Sequence, residues 1–394
     1  MSIPTDHDLV IGAREDRLPL AALLALAMAG FITILTEALP AGLLPQMSAA
    51  LDISQSAVGQ LVTVYAIGSL VAAIPLTAAT QRFRRKPLLL CAIAGFAMAN
   101  TVTAITESYA IMLVARFFAG VSAGLLWALI AGYAARMVPE RLRGRAIAIA
   151  MVGTPLALSL GIPAGTMIGA AVGWRSTFAV MSMLTLVLIC WAWMKVPDFP
   201  GNTRTESATI AGTLTIGGIK PILTVTLLFV LAHNILYTYI APLTEPAGLG
   251  LQLDLVLLTF GISAIFGIIA VGYLISRWLR ALVLTNTVIF IIAAGMLGVW
   301  GDVPEVLWLA TAMWGLAFGG VATLFQTAAA NTAKKASDVA QSLVVTAWNL
   351  AIAVGGIVGA LLLDYAGTGS LAWSAFALLT LAYAVAMTKN RGFR

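Results

Sequence analysis

Three ionisable residues, Glu37, Arg116 and His233, sit inside long apolar runs of this chain. A charged side chain at the centre of a bilayer costs roughly 3 kcal/mol or more, so it persists where it meets a partner or a wet cavity. At ~1.5 Å per helical residue, Glu37 lies ~9 Å in from the end of its run. Arg116 lies ~11 Å in from the same side on that rise. Equal depth allows a pair or a shared water-filled pocket. Burial and the guanidinium then act in opposite senses on the carboxyl, leaving a group able to exchange protons as the pocket opens and closes. The plainer readings are a glutamate reaching for the interface and an arginine capping neighbouring carbonyls.

His233 falls near the middle of its run. It is either a ligand contact or titrating proton site, or a neutral imidazole bonded to a neighbouring helix. Asn234, Tyr237 and Tyr239 cluster beside it, with Tyr237 on the same helical face at i+4. Trp127, Trp314, Gln326, Trp348 and Asn349 also fall at mid-run, where an indole or amide needs a partner. Together with His233, Asn234 and Tyr237 they form the candidate substrate-binding set. Glu37, Arg116 and His233 form the candidate proton-coupling set.

The elements that must hold these residues are membrane helices. The chain is 61% apolar and 10% charged, where a soluble domain is nearer a quarter charged. Apolar windows fall at about 18–43, 57–80, 87–106, 109–137, 144–170 and 174–196, then 219–243, 254–276, 281–300, 304–331, 338–364 and 371–388. No alternating strand pattern appears, and helices satisfy their own backbone in hydrocarbon. The expected organisation is a tail at 1–17, a six-helix bundle at 18–197, a polar linker at 198–218, a second bundle at 219–388 and a tail at 389–394. The first apolar run is too long for a cleaved signal and reads as a retained span.

Of the 22 Lys and Arg residues, all but Arg116 and Arg175 fall on one side when the spans alternate. That bias places both termini and the linker in the cytoplasm and explains the net charge of +6 without nucleic acid. Cys91 and Cys190 lie in apolar runs and read as packing residues. No nucleotide loop, metal motif or nucleophile elbow occurs, so neither enzymatic activity nor a metal or cofactor is expected, and active transport would draw on an ion gradient.

The halves echo each other. Gly120, Gly124 and Gly161 recur 195 residues on as Gly315, Gly319 and Gly356. Parallel six-helix repeats around a central site characterise one large class of secondary transporters. Small residues at Gly153, Gly161, Gly165 and Gly169, with Pro155 and Pro163, allow close and kinkable helix contacts.

Ala115-Arg116-Phe117-Phe118-Ala119-Gly120 with Gly124 resembles the fourth-helix arginine motif of the major facilitator superfamily. Gln81-Arg82-Phe83-Arg84-Arg85-Lys86 resembles its loop between helices two and three, with Gln81 where aspartate is usual, Arg84 where glycine is usual and Thr77 for an upstream glycine. Gly161-Ile162-Pro163-Ala164-Gly165 resembles the glycine–proline motif of the antiporter branch. Thr36-Glu37-Ala38-Leu39-Pro40-Ala41-Gly42 is similar to the first-helix signature of the sugar-efflux subgroup of drug/proton antiporters, as are Gly173-Trp174-Arg175 and Ala232-His233-Asn234.

The resemblance implies an all-α fold of twelve transmembrane helices in two six-helix bundles around a cavity. It gives Arg82, Arg85, Gly120, Gly124, Gly161, Pro163 and Gly165 gating and packing roles. It implies a monomeric, proton-coupled exporter of small organic solutes (sugars or related metabolites, drugs among them) in a bacterial-type inner membrane. The alternatives are a proton symporter or uniporter for uptake and a non-transporting sensor with a transporter fold.

Overall fold

The computed structural model describes residues 18–80, 82–139, 142–201, 210–333, 336–388 and 393. The readings made for the 1–17 tail, Gln81, Arg141, most of the linker, Lys334, Lys335 and most of the C-terminal tail lie outside the described residues.

Among the described residues, twelve helices are long and apolar enough to cross a membrane. They are α1 Leu20–Gly42, α2 Gln55–Thr80, α3 Arg85–Ile105, α4 Tyr109–Arg136, α5 Ile149–Val172 and α6 Trp174–Lys195, then α7 Ile219–Thr238, α8 Gly250–Ile275, α9 Arg277–Trp300, α10 Pro304–Ala333, α11 Ser337–Ala366 and α12 Thr368–Met387. The chain is a multi-pass membrane protein with an all-helical fold. Its outer faces suit lipid: Val114 and Phe118 on α4 are 57% and 52% exposed, while Arg116 between them is 1% exposed. Cys91 and Cys190 are also exposed, so they are not the buried packing residues their runs suggested.

Within the first half α2 packs on α4, and α3 packs on α4 and α6; within the second, α7 packs on α11 and α12. The halves meet where α2 lies along α11 and α8 lies against α5. The repeat survives in three dimensions. A Cβ at Gly120 would sit 1.9 Å from the Tyr65 carbonyl oxygen, and one at Gly315 would sit 2.3 Å from that of Phe260. Both glycines and both partners are related by the same 195-residue offset.

Regular helical geometry is broken within α5, between α8 and α9, and at Gly320 within α10. In α5 a π turn spans Ala157–Gly161. Pro163 removes the donor that would close an ordinary turn onto Ser159, and wide turns of this kind often mark functional segments. Gly261 of α8 presses against that turn, its hypothetical Cβ 2.2 Å from the Ser159 Cα. The second departure separates α8 from α9, where Trp278 has non-helical φ −128° and ψ 28°.

Candidate functional site

Pro40 sets the geometry of the first half. Its nitrogen carries no hydrogen, so the Thr36 carbonyl four residues back lacks its helical donor. Arg116 supplies one. Its Nη1 donates to the Thr36 carbonyl, Nη2 donates to the Glu37 carbonyl at 2.9 Å, and Nε donates to the Leu61 carbonyl at 3.2 Å. The guanidinium lies 4.9 Å from the centre of the Tyr65 ring, and the Tyr65 hydroxyl donates to the Thr33 carbonyl at 3.2 Å. Asn100 of α3 donates to Thr36 Oγ1 at 3.0 Å. One buried cation thus ties α4 to α1 and α2 at the level of Glu37.

The Glu37 carboxylate is not the group Arg116 grips. Among the described residues no hydrogen-bond donor or ion-pair partner reaches it, and its side chain lines a cavity of about 110 Å³ between the halves. Ala38 and Thr154 line the same side; His233, Asn234, Tyr237, Phe318 and Trp348 line the other.

His233 is held by an aromatic cluster. Trp314 Nε1 donates to His233 Nδ1 at 3.1 Å, and an Nδ1 that accepts carries no hydrogen, so the ring is neutral with its proton on Nε2. Phe318 stacks on the imidazole at 3.5 Å and Tyr237 at 5.1 Å between ring centres. Trp314 is itself stacked on Phe290 at 5.8 Å. These contacts fix the ring while it lines the cavity.

Two hydroxyls lining the cavity, Thr154 Oγ1 and Tyr237 OH, are buried without a hydrogen-bond partner among the described residues. Buried polar atoms of this kind normally bond protein, ordered water or ligand. Thr154 was absent from the sequence-derived set; its one signal was its place before Pro155 in the glycine- and proline-rich helix. The cavity has room for about three or four waters at ~30 Å³ each, below the ~300 Å³ at which organic-ligand sites begin. An organic solute needs the halves to separate.

The remaining expected residues divide. Trp127 packs inside the first half, near Gly30. Gln326 is half-buried on α10 outside the cavity lining. Asn349 also lies outside it and donates to the Val345 carbonyl of its own helix at 3.0 Å, as Asn234 does to Val230 at 2.9 Å. Gly161 and Gly165 press on Leu35 and Leu39 of α1, Pro163 begins the helix after the π turn, and Gly124 is buried on α4. Arg82 is exposed, and the Arg85 backbone N–H donates to the Phe199 carbonyl at 2.9 Å.

At one end of the cavity the halves are joined by polar contacts. Ser56 donates to Asp364, Gln55 Nε2 donates to Glu245 at 3.2 Å, and both Gln60 Nε2 and the Tyr239 hydroxyl donate to the Gly356 carbonyl, at 3.2 and 2.8 Å. Tyr239 fits there because residue 59 is glycine: a Cβ would stand 2.4 Å from the phenol oxygen.

Two repeated helical halves that meet at a largely apolar cavity carrying a few polar groups have the arrangement of a membrane transporter, not an enzyme. The family model of the Major Facilitator Superfamily matches residues 26–339. The chain belongs to that superfamily. Its fold is similar to the crystal structure of the human organic anion transporter MFSD10 (TETRAN), with TM-score 0.70, 17% identity, and 95% of this chain and 99% of that one covered. It is also similar to the D-xylose-proton symporter, with TM-score 0.75, 17% identity and coverage of 94% and 96%.

Proposed function

We propose that this transporter couples proton movement to export of small organic solutes by alternating access, with Glu37 as the proton site. One observation carries the reading: a carboxylate from α1 lines the cavity opposite an imidazole and a phenol from α7, with no donor committed to it among the described residues. Such a group can take a proton when the cavity is dry and lose it when the halves part and water enters. Arg116 supports this role by holding the backbone of Glu37. Tyr237, Thr154 and Asn234 supply hydrogen-bonding groups for a hydroxylated or amphipathic solute, while Phe318 and Trp348 supply apolar faces.

Export follows the resemblance of the Thr36–Gly42 segment to the sugar-efflux subgroup. Both termini and the linker would then be cytoplasmic, the protein would work as a monomer in a bacterial-type inner membrane, and the sealed end would face outward. The test is reconstitution into liposomes with sugars, nucleosides and amphipathic antibiotics on either side. An imposed pH gradient should drive at least one class against the direction of proton flow. Movement with the protons would reassign the protein as an uptake symporter, and gradient-independent movement as a uniporter.

A further inference from the structure

The two halves differ at the end that carries most Lys and Arg. In the first half the segment after α6 folds back onto the basic loop before α3. Arg84 Nε donates to Asp198 Oδ2 at 2.6 Å, the Lys86 backbone N–H donates to Asp198 Oδ1 at 3.1 Å, and Arg136 Nη1 donates to the Pro200 carbonyl at 3.0 Å. Shifted by the 195-residue offset of the repeat, Arg82, Phe83 and Arg85 become Arg277, Trp278 and Arg280; Arg136 becomes Asn331 and Asp198 becomes Phe393. Two arginines of the basic loop are kept in the second half, while Arg84, which binds Asp198, becomes Leu279 and the tail carboxylate is lost. Arg277, Trp278, Arg280, Asn331 and Phe393 line a cavity of about 650 Å³ whose lining contains no Asp or Glu among the described residues.

We infer that this cavity binds an anionic phospholipid, whose phosphate is held by Arg277 and Arg280 where no carboxylate competes for them. The volume falls within the ~300–1,000 Å³ range of ligand sites. The place is right for a lipid. Trp278 and the arginines lie at the turn between α8 and α9, at headgroup depth, and Leu284 one helical turn along α9 offers an apolar wall to the acyl chains. Arg277 lies 5.6 Å from the Trp278 ring centre, and Arg280 donates to the Met387 carbonyl at 3.0 Å, which anchors both cations at the rim.

The experiment is native mass spectrometry of the full chain in detergent, titrated separately with phosphatidylglycerol, phosphatidylcholine and inorganic phosphate. Phosphatidylglycerol should be retained about thirtyfold better than phosphatidylcholine, as expected for two basic residues near a headgroup. Arg277→Gln should remove most of that preference. So should Phe393→Asp, which installs the carboxylate of the first half without touching an arginine and decides the matter if Arg277→Gln misfolds. Equal retention of the two lipids, or unchanged preference in a folded Phe393→Asp variant, would overturn the proposal. Displacement of the lipid by inorganic phosphate would reassign the cavity to a free anion and overturn it equally.

Discussion

The Arg116 guanidinium donates to the carbonyl of Thr36, the one acceptor in α1 that Pro40 leaves without a helical donor. The buried charge therefore answers a backbone defect on the helix packed against its own. If that is its main structural task, restoring the missing N–H should relieve the need for it. Arg116→Ala alone should destabilise the protein by about 3 kcal/mol, the scale of a buried charge-assisted hydrogen bond lost. In the Pro40→Ala background the same change should cost less, with a coupling of about 1 kcal/mol or more. Thermal unfolding of the four variants in detergent measures it, and strict additivity would refute the link. Arg116→Lys should rescue poorly, because a point ammonium cannot serve three carbonyls on two helices.

The contacts of Ser56 with Asp364 and of Gln60 and Tyr239 with Gly356 hold one end of the cavity shut. Asp364→Ala should weight the population toward opening at that end. In a Cys91/Cys190-free background, Thr63→Cys lies just inside the seal, where Thr63 is 2% exposed. Its labelling by a membrane-impermeant maleimide added outside should rise several-fold when Asp364→Ala is added. Equal labelling would show that the seal rests on apolar packing instead.

Asp198 gives a pH-dependent contact outside the membrane. Partial burial pushes its carboxyl upward, but the Lys86 amide and the Arg84 guanidinium outweigh that and hold it below the usual carboxylate value of 3.8. A depressed folded-state pKa contributes stability that is full above the unfolded value and is lost as pH falls through the folded value. Asp198→Asn should therefore lower the melting temperature slightly at neutral pH, by no more than an exposed ion pair allows. The difference from wild type should shrink below about pH 4. A difference that grew on acidification would have the wrong sign.

Most of the fold was legible in the sequence, because a span is a run of about twenty apolar residues and requires no knowledge of facing. The site was legible in part. Depth along a helix follows from residue count, and it correctly brought Arg116 to the level of Thr36 and Glu37. It did not tell a carboxylate from a carbonyl as the acceptor, although Pro40 held the clue. Azimuth was harder. These helices are apolar all round, so periodicity did not say that Trp127, Gln326 and Asn349 stand off the cavity while Thr154 stands on it. The aromatic clamp on His233 joins residues from α7, α8, α9 and α10, and contacts of that range leave no local pattern.

Orientation rests on the basic bias and is checked by labelling. In the Cys91/Cys190-free background, Thr215→Cys in the stretch before α7 should react from the cytoplasmic side alone. Tyr365→Cys, at the end of α11 and 86% exposed in the wild type, should react from the outer side alone. Reversed accessibility would invert the topology and with it the direction assigned to the sealed end.

The most direct measurement is proton movement on substrate addition to liposomes holding wild type, Glu37→Gln or His233→Gln, with the substrate taken from the reconstitution screen. Gln keeps the volume and carbonyl of Glu37 but cannot exchange a proton. Glu37→Gln should bind and exchange substrate downhill yet show no substrate-driven proton flux and no accumulation under a pH gradient. His233→Gln, which replaces the imidazole acceptor of the Trp314 indole with an amide, should change apparent affinity and keep the flux. Full proton flux in Glu37→Gln, with its loss in His233→Gln, would contradict the assignment and move the proton to the histidine.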